Sequence, residues 1–378
     1  MEDNDTCARK HVKMNNSNPM DRISNLPDSM IHHIFSFLET KPVIQTCILS
    51  SRWRYVWTFT PFLKFNLTRE SDYHTVTALD KKKRKSFEKF VDSVLINRES
   101  VTIYKFSLAS ELALDRGHLF TWINGVLRRN AKILYLQLSP DVTTFDLPSA
   151  LFTSNITELT VTVTEGVYGI RLPMSVCSSP RIRSMTLEYL KLPDGSSSGE
   201  LDFSCPVLIY LSMLSCNDGH IRLLTISAPR LKRLEMSNEY YFGDSCKINI
   251  CSTNLEYFKF FGCMYADISF VNLPHLRRAD ITIFRPEPEE MESEMYDRCL
   301  TKVLKGIYNI DALVVAVKTL KDIADTPSTL EMLPTMFCNL RDIIVKDPSN
   351  ITTNESVTAM ATILSALPCI QVFVWRRL

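Results

Sequence analysis

Polar and apolar positions along this chain change rhythm twice. The first 20 residues are almost wholly polar and include Asn15-Asn16-Ser17-Asn18-Pro19. That is too little apolar surface to offset the entropy of ordering, so a flexible tail is expected over residues 1 to 20. From Leu26-Pro27-Asp28 onward, Met30, Ile31, Ile34, Phe35 and Leu38 recur at three- and four-residue spacings, with Pro27 placed where a first helical turn tolerates it. Thr40 and Pro42 start a second helix carrying Val43, Ile44, Cys47 and Ile48. Ser50 can cap a third, whose Trp53, Val56 and Trp57 share a face. Three helices in roughly 40 residues enclose a core that is marginal alone, so a partner is expected to cover part of their apolar surface.

Residues 61 to 100 read as a joint. The basic run Lys81-Lys82-Lys83-Arg84-Lys85 precedes Phe87, Phe90, Val91, Val94 and Leu95 at helical spacing, which predicts a solvated loop and then a packed connecting helix. The run also admits nuclear import as a minor reading.

Beyond residue 100 the rhythm changes again, to an apolar residue followed by others three, five and often seven positions later. The copies are Val101-Tyr104-Phe106-Leu108, Ala131-Leu134-Leu136-Leu138, Ile156-Leu159-Val161-Val163, Ile182-Met185-Leu187, Leu208-Leu211-Met213 and Leu231-Leu234-Met236. They continue with Leu255-Phe258-Phe260, Leu276-Ala279-Ile281-Ile283, Ile310-Leu313-Val315-Val317, Leu340-Ile343-Val345 and Ile370-Phe373-Trp375. Most stand about 20 to 30 residues apart, the leucine-rich-repeat period, whereas hairpins would bring strands about every 8 to 12 residues. One repeat cannot bury its own apolar side, so stacking is expected to extend one core and lay a parallel sheet along a concave face.

Two copies carry Cys at their ninth position, Cys216 and Cys263, where a small buried side chain suits the turn leaving the strand. Prolines in Leu147-Pro148, Leu172-Pro173, Leu192-Pro193, Ala228-Pro229 and Leu273-Pro274 predict turns or short helices on the outer side. Asp194 to Gly199 reads as a flexible loop, and the acidic stretch Pro286 to Asp297 as a solvated insertion leading into a helix over Met295 to Leu304.

Three blocks of the first region carry a resemblance. Asp21-Arg22-Ile23-Ser24-Asn25-Leu26-Pro27-Asp28, Ile34-Phe35-Ser36-Phe37-Leu38 and Leu49-Ser50-Ser51-Arg52-Trp53-Arg54-Tyr55-Val56-Trp57 look like the plant F-box motif, in order and spacing. Met30-Ile31 stands where two leucines are usual, Phe35 where Leu is commoner, and Ser51 where Lys is usual; none of these places a charge on the apolar face. With an F-box over residues 21 to 60 and repeats over 101 to 378, the chain resembles the plant F-box/leucine-rich-repeat family. Residues 335 to 378, with Cys338-Asn339-Leu340-Arg341 and Leu367-Pro368-Cys369-Ile370, resemble the beginning of the FBD-type region that ends many of its members.

The resemblance implies an α/β fold, a three-helix F-box followed by a leucine-rich-repeat solenoid. It implies the substrate-recognition subunit of an SCF-type E3 ubiquitin ligase. The F-box would bind a Skp-type adaptor, and through it a cullin and a RING protein, while the repeats hold a target protein. Carried over from matching motif positions, the adaptor surface is expected at Leu26, Pro27, Ile31, Ile34, Leu38, Val43, Leu49 and Trp53. Some of these belong to the core instead, since Ile34, Phe35 and Trp53 can each brace the helices.

Charge and composition narrow the alternatives. Lys+Arg is 43 and Asp+Glu is 42, a net charge of +1, so nothing global points to nucleic acid or an anionic membrane. No run of 18 apolar residues occurs and the polar start lacks a secretory signal, which predicts an intracellular protein, cytoplasmic or nuclear. Its 11 cysteines, with no C-x-x-C pair, then read as reduced small hydrophobes. Seven scattered histidines, of which only His32 and His33 adjoin, show no metal-ligand spacing. No nucleophile elbow or phosphate loop occurs among so few glycines, 10 in all. No catalytic, cofactor or metal residue is therefore assigned, and a non-catalytic receptor is expected. Two other classes remain: a repeat scaffold acting outside any ligase, and a hydrolase hidden in the repeats, which would need a concave site of converging polar groups.

Overall fold

Period-2 alternation turns every copy of the repeat into a strand of one sheet. In the computed structural model, residues 23, 26–69, 76–99, 102–139, 144–164, 169–216, 221–238, 246–263, 267–285, 293–347 and 354–377 are described. The expected tail at 1–20 and the acidic stretch as far as residue 292 lie outside them. Three short helices come first: α1 (Asp28–Phe35), α2 (Thr40–Gln45) and α3 (Trp53–Val56), with 3-10 turns at Thr46–Ile48 and Trp57–Phe59. Then follow β1 (Phe62–Leu67), α4 (Ala78–Asn97), β2 (Lys105–Ser110), α5 (Arg116–Arg128), β3 (Ile133–Leu138), β4 (Phe145–Asp146), α6 (Ala150–Thr153), β5 (Glu158–Val163), β6 (Ile170–Arg171) and β7 (Ser184–Glu188). The middle holds β8 (Glu200–Phe203), β9 (Tyr210–Leu214), β10 (Leu223–Ile226), β11 (Arg233–Asn238), β12 (Lys247–Ile250), β13 (Tyr257–Cys263), β14 (Asp267–Phe270) and β15 (Arg278–Phe284). Last come α7 (Ser293–Gly306), β16 (Ala312–Ala316), α8 (Val317–Asp325), α9 (Pro327–Met336), β17 (Asp342–Asp347), α10 (Asn354–Ala366) and β18 (Val372–Arg377).

The main sheet has 12 strands in the order β1-β2-β3-β5-β7-β9-β11-β13-β15-β16-β17-β18, and every neighbouring pair is parallel. Its register sets one apolar residue per strand in a file: Leu63, Phe106, Leu134, Leu159, Met185, Leu211, Leu234, Phe258, Ala279, Leu313 and Ile343. All eleven are buried in one continuous core. Each larger one contributes roughly 1.5 to 3 kcal/mol by leaving water. The architecture is the α/β leucine-rich-repeat arrangement that the spacing predicts.

Three expectations are corrected. Residues 61 to 100 are not merely a joint, because β1 pairs with β2 and is an edge strand of the sheet. The basic run is not a loop either, since it lies inside α4. Thr77 and Asp80 close a capping box that starts the helix ahead of the lysines. Lys81, Lys82 and Lys85 are exposed, whereas Arg84 donates to the Ala113 carbonyl at 3.1 Å. Finally, Asp194 to Gly199 is a hydrogen-bonded turn: the Ser196 N–H donates to the Glu200 carbonyl at 2.8 Å, and Arg171 holds the Asp194 carboxylate at 2.8 Å.

The layer behind the sheet changes along the array. Helices α4 and α5 back its first strands and α7 to α10 its last, while β8, β10, β12 and β14 form a second parallel sheet in the middle. The outer prolines at 229 and 274 turn the chain from β10 and β14 back to the main sheet; the sequence showed these turns but not the strands before them. The two repeat cysteines differ. Ser215 takes φ 47°, which ends the strand and lets Cys216 pack against the core. Cys263 instead closes a longer strand and alternates with inward-facing Phe258 and Phe260, so it lies on the outward face, half exposed.

Candidate partner-binding surfaces

The three-helix unit is built on five buried side chains. Ile31 and Phe35 of α1, Val43 of α2 and Trp53 and Val56 of α3 form its core, with Leu26 and Trp57 packed at the margin. Phe35 meets Trp53 edge to face, ring centroids 5.6 Å apart. The Lys64 N–H donates to the Thr40 hydroxyl at 2.8 Å, which ties α2 to the edge strand β1 and occupies a backbone group of that edge.

The eight residues expected on the adaptor surface divide. Ile31, Val43 and Trp53 are buried inside the unit, 0%, 1% and 3% exposed, and present no surface of their own. Leu26 is half-buried at the margin of that core. Pro27, Ile34, Leu38 and Leu49 are exposed. Motif matching cannot separate the groups, because residues that brace the fold and residues that face a partner recur at the same spacing. Helical phase separates them on α1: Ile31 and Phe35 point inward, while Met30, Ile34 and Phe37 follow one another on another side.

The exposed surface of the unit holds what the sequence reading missed. Met30, Phe37, Ile48 and Tyr55 are exposed, Phe37 at 73% and Ile48 at 84%. Among the described residues, Ile23, Met30, Ile34, Phe37, Leu38, Ile48, Leu49, Tyr55 and Phe59 are nine of the twenty large apolar side chains left exposed. Nearly half of the exposed large apolar side chains thus sit on a tenth of the chain, the concentration expected of an uncovered protein interface.

The second surface is the face of the main sheet opposite the core. Alternation sends Tyr210, Arg233, Glu235, Tyr257, Lys259 and Asp280 to it from adjacent strands. The Arg233 guanidinium lies 4.2 Å from the Tyr257 ring centroid and 5.9 Å from that of Tyr210, and pairs with Glu235 at 2.7 Å. Burial pushes the Tyr257 hydroxyl up to about 12, helped by the Asp280 and Glu235 charges. Across β16, Lys346 reaches the Asp280 carboxylate at 2.6 Å. Where this face meets the three-helix unit, a cleft of about 530 Å³ is lined by Leu38, Lys64, Lys105, Glu111, Tyr135 and Gln137, among others.

Among the described residues no group of His, Cys, Asp and Glu is placed to hold a metal ion. Burial pushes the Cys205 thiol up to about 11 and the Cys216 thiol up to about 12, the opposite of what a nucleophile requires. No helix among the described residues is long and apolar enough to cross a membrane.

Comparison with known proteins falls on both surfaces. The F-box domain family matches residues 23–65, which takes in the three helices and most of β1. An Arabidopsis thaliana protein named as a putative F-box/LRR-repeat protein is 28% identical over 359 residues, covering 86% of this chain and 64% of the relative. A second F-box/LRR-repeat protein of that plant is 28% identical over 313 residues, 80% of this chain and 63% of the relative. An F-box/FBD/LRR-repeat protein, again from Arabidopsis thaliana, is 28% identical over 356 residues, covering 90% of this chain and 75% of its own. The match thus spans a little under two thirds of the first two relatives.

Proposed function

Because the chain belongs to the plant F-box/leucine-rich-repeat family, by its matched domain and its relatives, we propose that it is the substrate-recognition subunit of an SCF-type ubiquitin ligase. The three-helix unit binds a Skp-type adaptor, which joins it to a cullin and a RING protein, and the outward face of the sheet holds the target. The reading is carried by the exposed apolar side chains crowded onto residues 23 to 59, inside a domain whose kind binds such adaptors. On this reading the adaptor covers Pro27, Ile34, Leu38 and Leu49 together with Met30, Phe37 and Ile48. Ile31, Val43 and Trp53 act beneath them by holding the helices in place.

The subunit's contribution is then positional. Holding a target's lysines beside an activated ubiquitin makes transfer effectively intramolecular, and no side chain of this chain needs to act as acid, base or nucleophile.

The test is binding of the full chain to a purified Skp-type adaptor, beside a variant carrying Ile48→Asp and Leu49→Asp. Both positions are exposed, so the variant keeps its fold while losing at least about tenfold in affinity. A folded wild-type chain that does not bind the adaptor removes the ligase reading, and a repeat scaffold acting outside a ligase takes its place.

A further inference from the structure

One buried charge in the array lacks what a buried charge requires. Arg98 follows the last residue of α4 and is 6% exposed. None of its three guanidinium nitrogens has a hydrogen-bond partner among the described residues. Taking an arginine out of water without partners is costly, and its five donors are normally met by a carboxylate, by phosphate or by carbonyls. Burial, and then the charge of Arg129, lower Arg98 to about 10, which still leaves it protonated at neutral pH. Among the described residues no acidic side chain offsets either effect.

Arg129 stands at the end of α5 and is half-buried. It donates to the Gly125 carbonyl at 3.2 Å and reaches across to the Leu95 carbonyl of α4 at 3.3 Å, which fixes its guanidinium beside the end of that helix. Two like charges are therefore held together where α4 and α5 both end, one inside and one opening to solvent. Water could meet Arg98's donors but would leave the two charges opposing each other. An anion meets the donors and reverses the sign of the interaction.

We propose that Arg98 and Arg129 form a binding site for a small oxyanion of the phosphate or sulfate class. The planar fork of a guanidinium matches two oxygens of such an ion, and the half-exposed Arg129 marks its way in. The burial of Arg98 selects the free inorganic ion over the phosphate group of a larger molecule. The site lies on the helical side of the first repeats and uses neither the exposed apolar side chains of the three-helix unit nor the outward side chains of the sheet, so it stands or falls independently of the ligase reading. Its role is structural: the ion pins the ends of α4 and α5 together behind β1 and β2.

The experiment is calorimetric titration of the full chain with inorganic phosphate, sulfate and tripolyphosphate at constant ionic strength in chloride, with thermal unfolding read alongside. The expected result is one saturable phosphate or sulfate site and a rise in Tm that saturates with it. Arg98→Met is expected to abolish both, and Arg129→Met to weaken binding at least about tenfold. Arg98→Lys, which keeps the charge and loses the fork, serves if the methionine variant does not fold, and is also expected to bind at least about tenfold more weakly. Phosphate binding that Arg98→Met or Arg98→Lys leaves unchanged belongs to surface lysines and overturns the proposal. So does the absence of any effect up to roughly 50 mM phosphate or sulfate. Tripolyphosphate binding as tightly as phosphate would overturn the assignment to an enclosed small ion.

Discussion

The three-helix unit and the repeat array use apolar residues in opposite ways. Along the array, apolar side chains fall on one phase of each strand and nearly all enter a single core. In the unit, α1 is apolar on more than one side: Ile31 and Phe35 close a five-residue core, while Met30, Ile34 and Phe37 remain in water. A parallel sheet completes itself by adding strands, so its apolar phase is satisfied from within. Three short helices have no such extension. The difference separates the apolar residues that the chain's own fold buries from those that it leaves exposed.

The sharpest way to break this comparison is to damage each core separately. Phe258 is fully buried near the middle of the sheet and meets the Phe270 ring edge to face at 5.1 Å. Phe258→Ala is expected to cost about 3 to 5 kcal/mol, seen in urea unfolding as a lower midpoint for the array. Phe35→Ala removes one of only five core side chains and leaves Trp53 without its ring partner. It is expected to open the unit to limited proteolysis between residues 28 and 60 while the array's unfolding midpoint stays put. If Phe35→Ala shifts the array's transition as far as Phe258→Ala does, the two regions share one cooperative core and the comparison fails.

Surface charges give the next largest effect, on binding instead of folding. Ile48 in the unit is 84% exposed and Val271 beyond β14 is 51% exposed, so aspartate at either is expected to change stability by no more than about 0.5 kcal/mol. Ile48→Asp is expected to lower affinity for a Skp-type adaptor by about tenfold or more, measured by calorimetry, while Val271→Asp leaves it unchanged. Equal losses would mean that exposed apolar residues on the two regions are not different in kind.

The main sheet was legible because its signal is long and strictly phased: each copy of the apolar pattern became a strand. The first strand escaped because Phe62–Leu67 stands alone, ahead of a helix and with no earlier copy to establish its period. The outer sheet escaped because β8, β10, β12 and β14 are four residues each, too short for alternation to stand out from loop sequence. The basic run was misplaced because five adjacent cations outweigh, to the eye, a Thr77–Asp80 cap four residues long. In the unit, the motif located the helices and could not divide their residues. Leu49 and Trp53 are equally part of it, yet one is 61% exposed and the other 3%. That division depends on how the helices roll against one another, which spacing alone does not specify. Arg98 gave no signal at all, since burial of a charge is a property of the fold around it.

The smallest expected effect concerns a half-buried charge within the array, for which the unit has no counterpart in its apolar core. Asp322 of α8 accepts the Tyr296 hydroxyl of α7 at 2.8 Å, and Arg285 stands 3.6 Å away. Burial raises its carboxyl above the ordinary carboxylate value, with the Tyr296 hydrogen bond and the Arg285 and Lys318 charges opposing and the Asp325 charge adding. The folded state therefore holds this proton to a higher pH than the unfolded chain does. Stability contributed by the group is full below the unfolded value and is lost as pH rises through the folded one. Asp322→Asn removes that titration but keeps the shape. The unfolding free energy of wild type minus that of the variant is thus expected to fall as pH is raised from below about 4, measured by urea unfolding of the array's transition. A difference that stays flat with pH, or that rises, would mean the Arg285 and Tyr296 interactions outweigh burial and that this carboxylate is stabilised in its charged form.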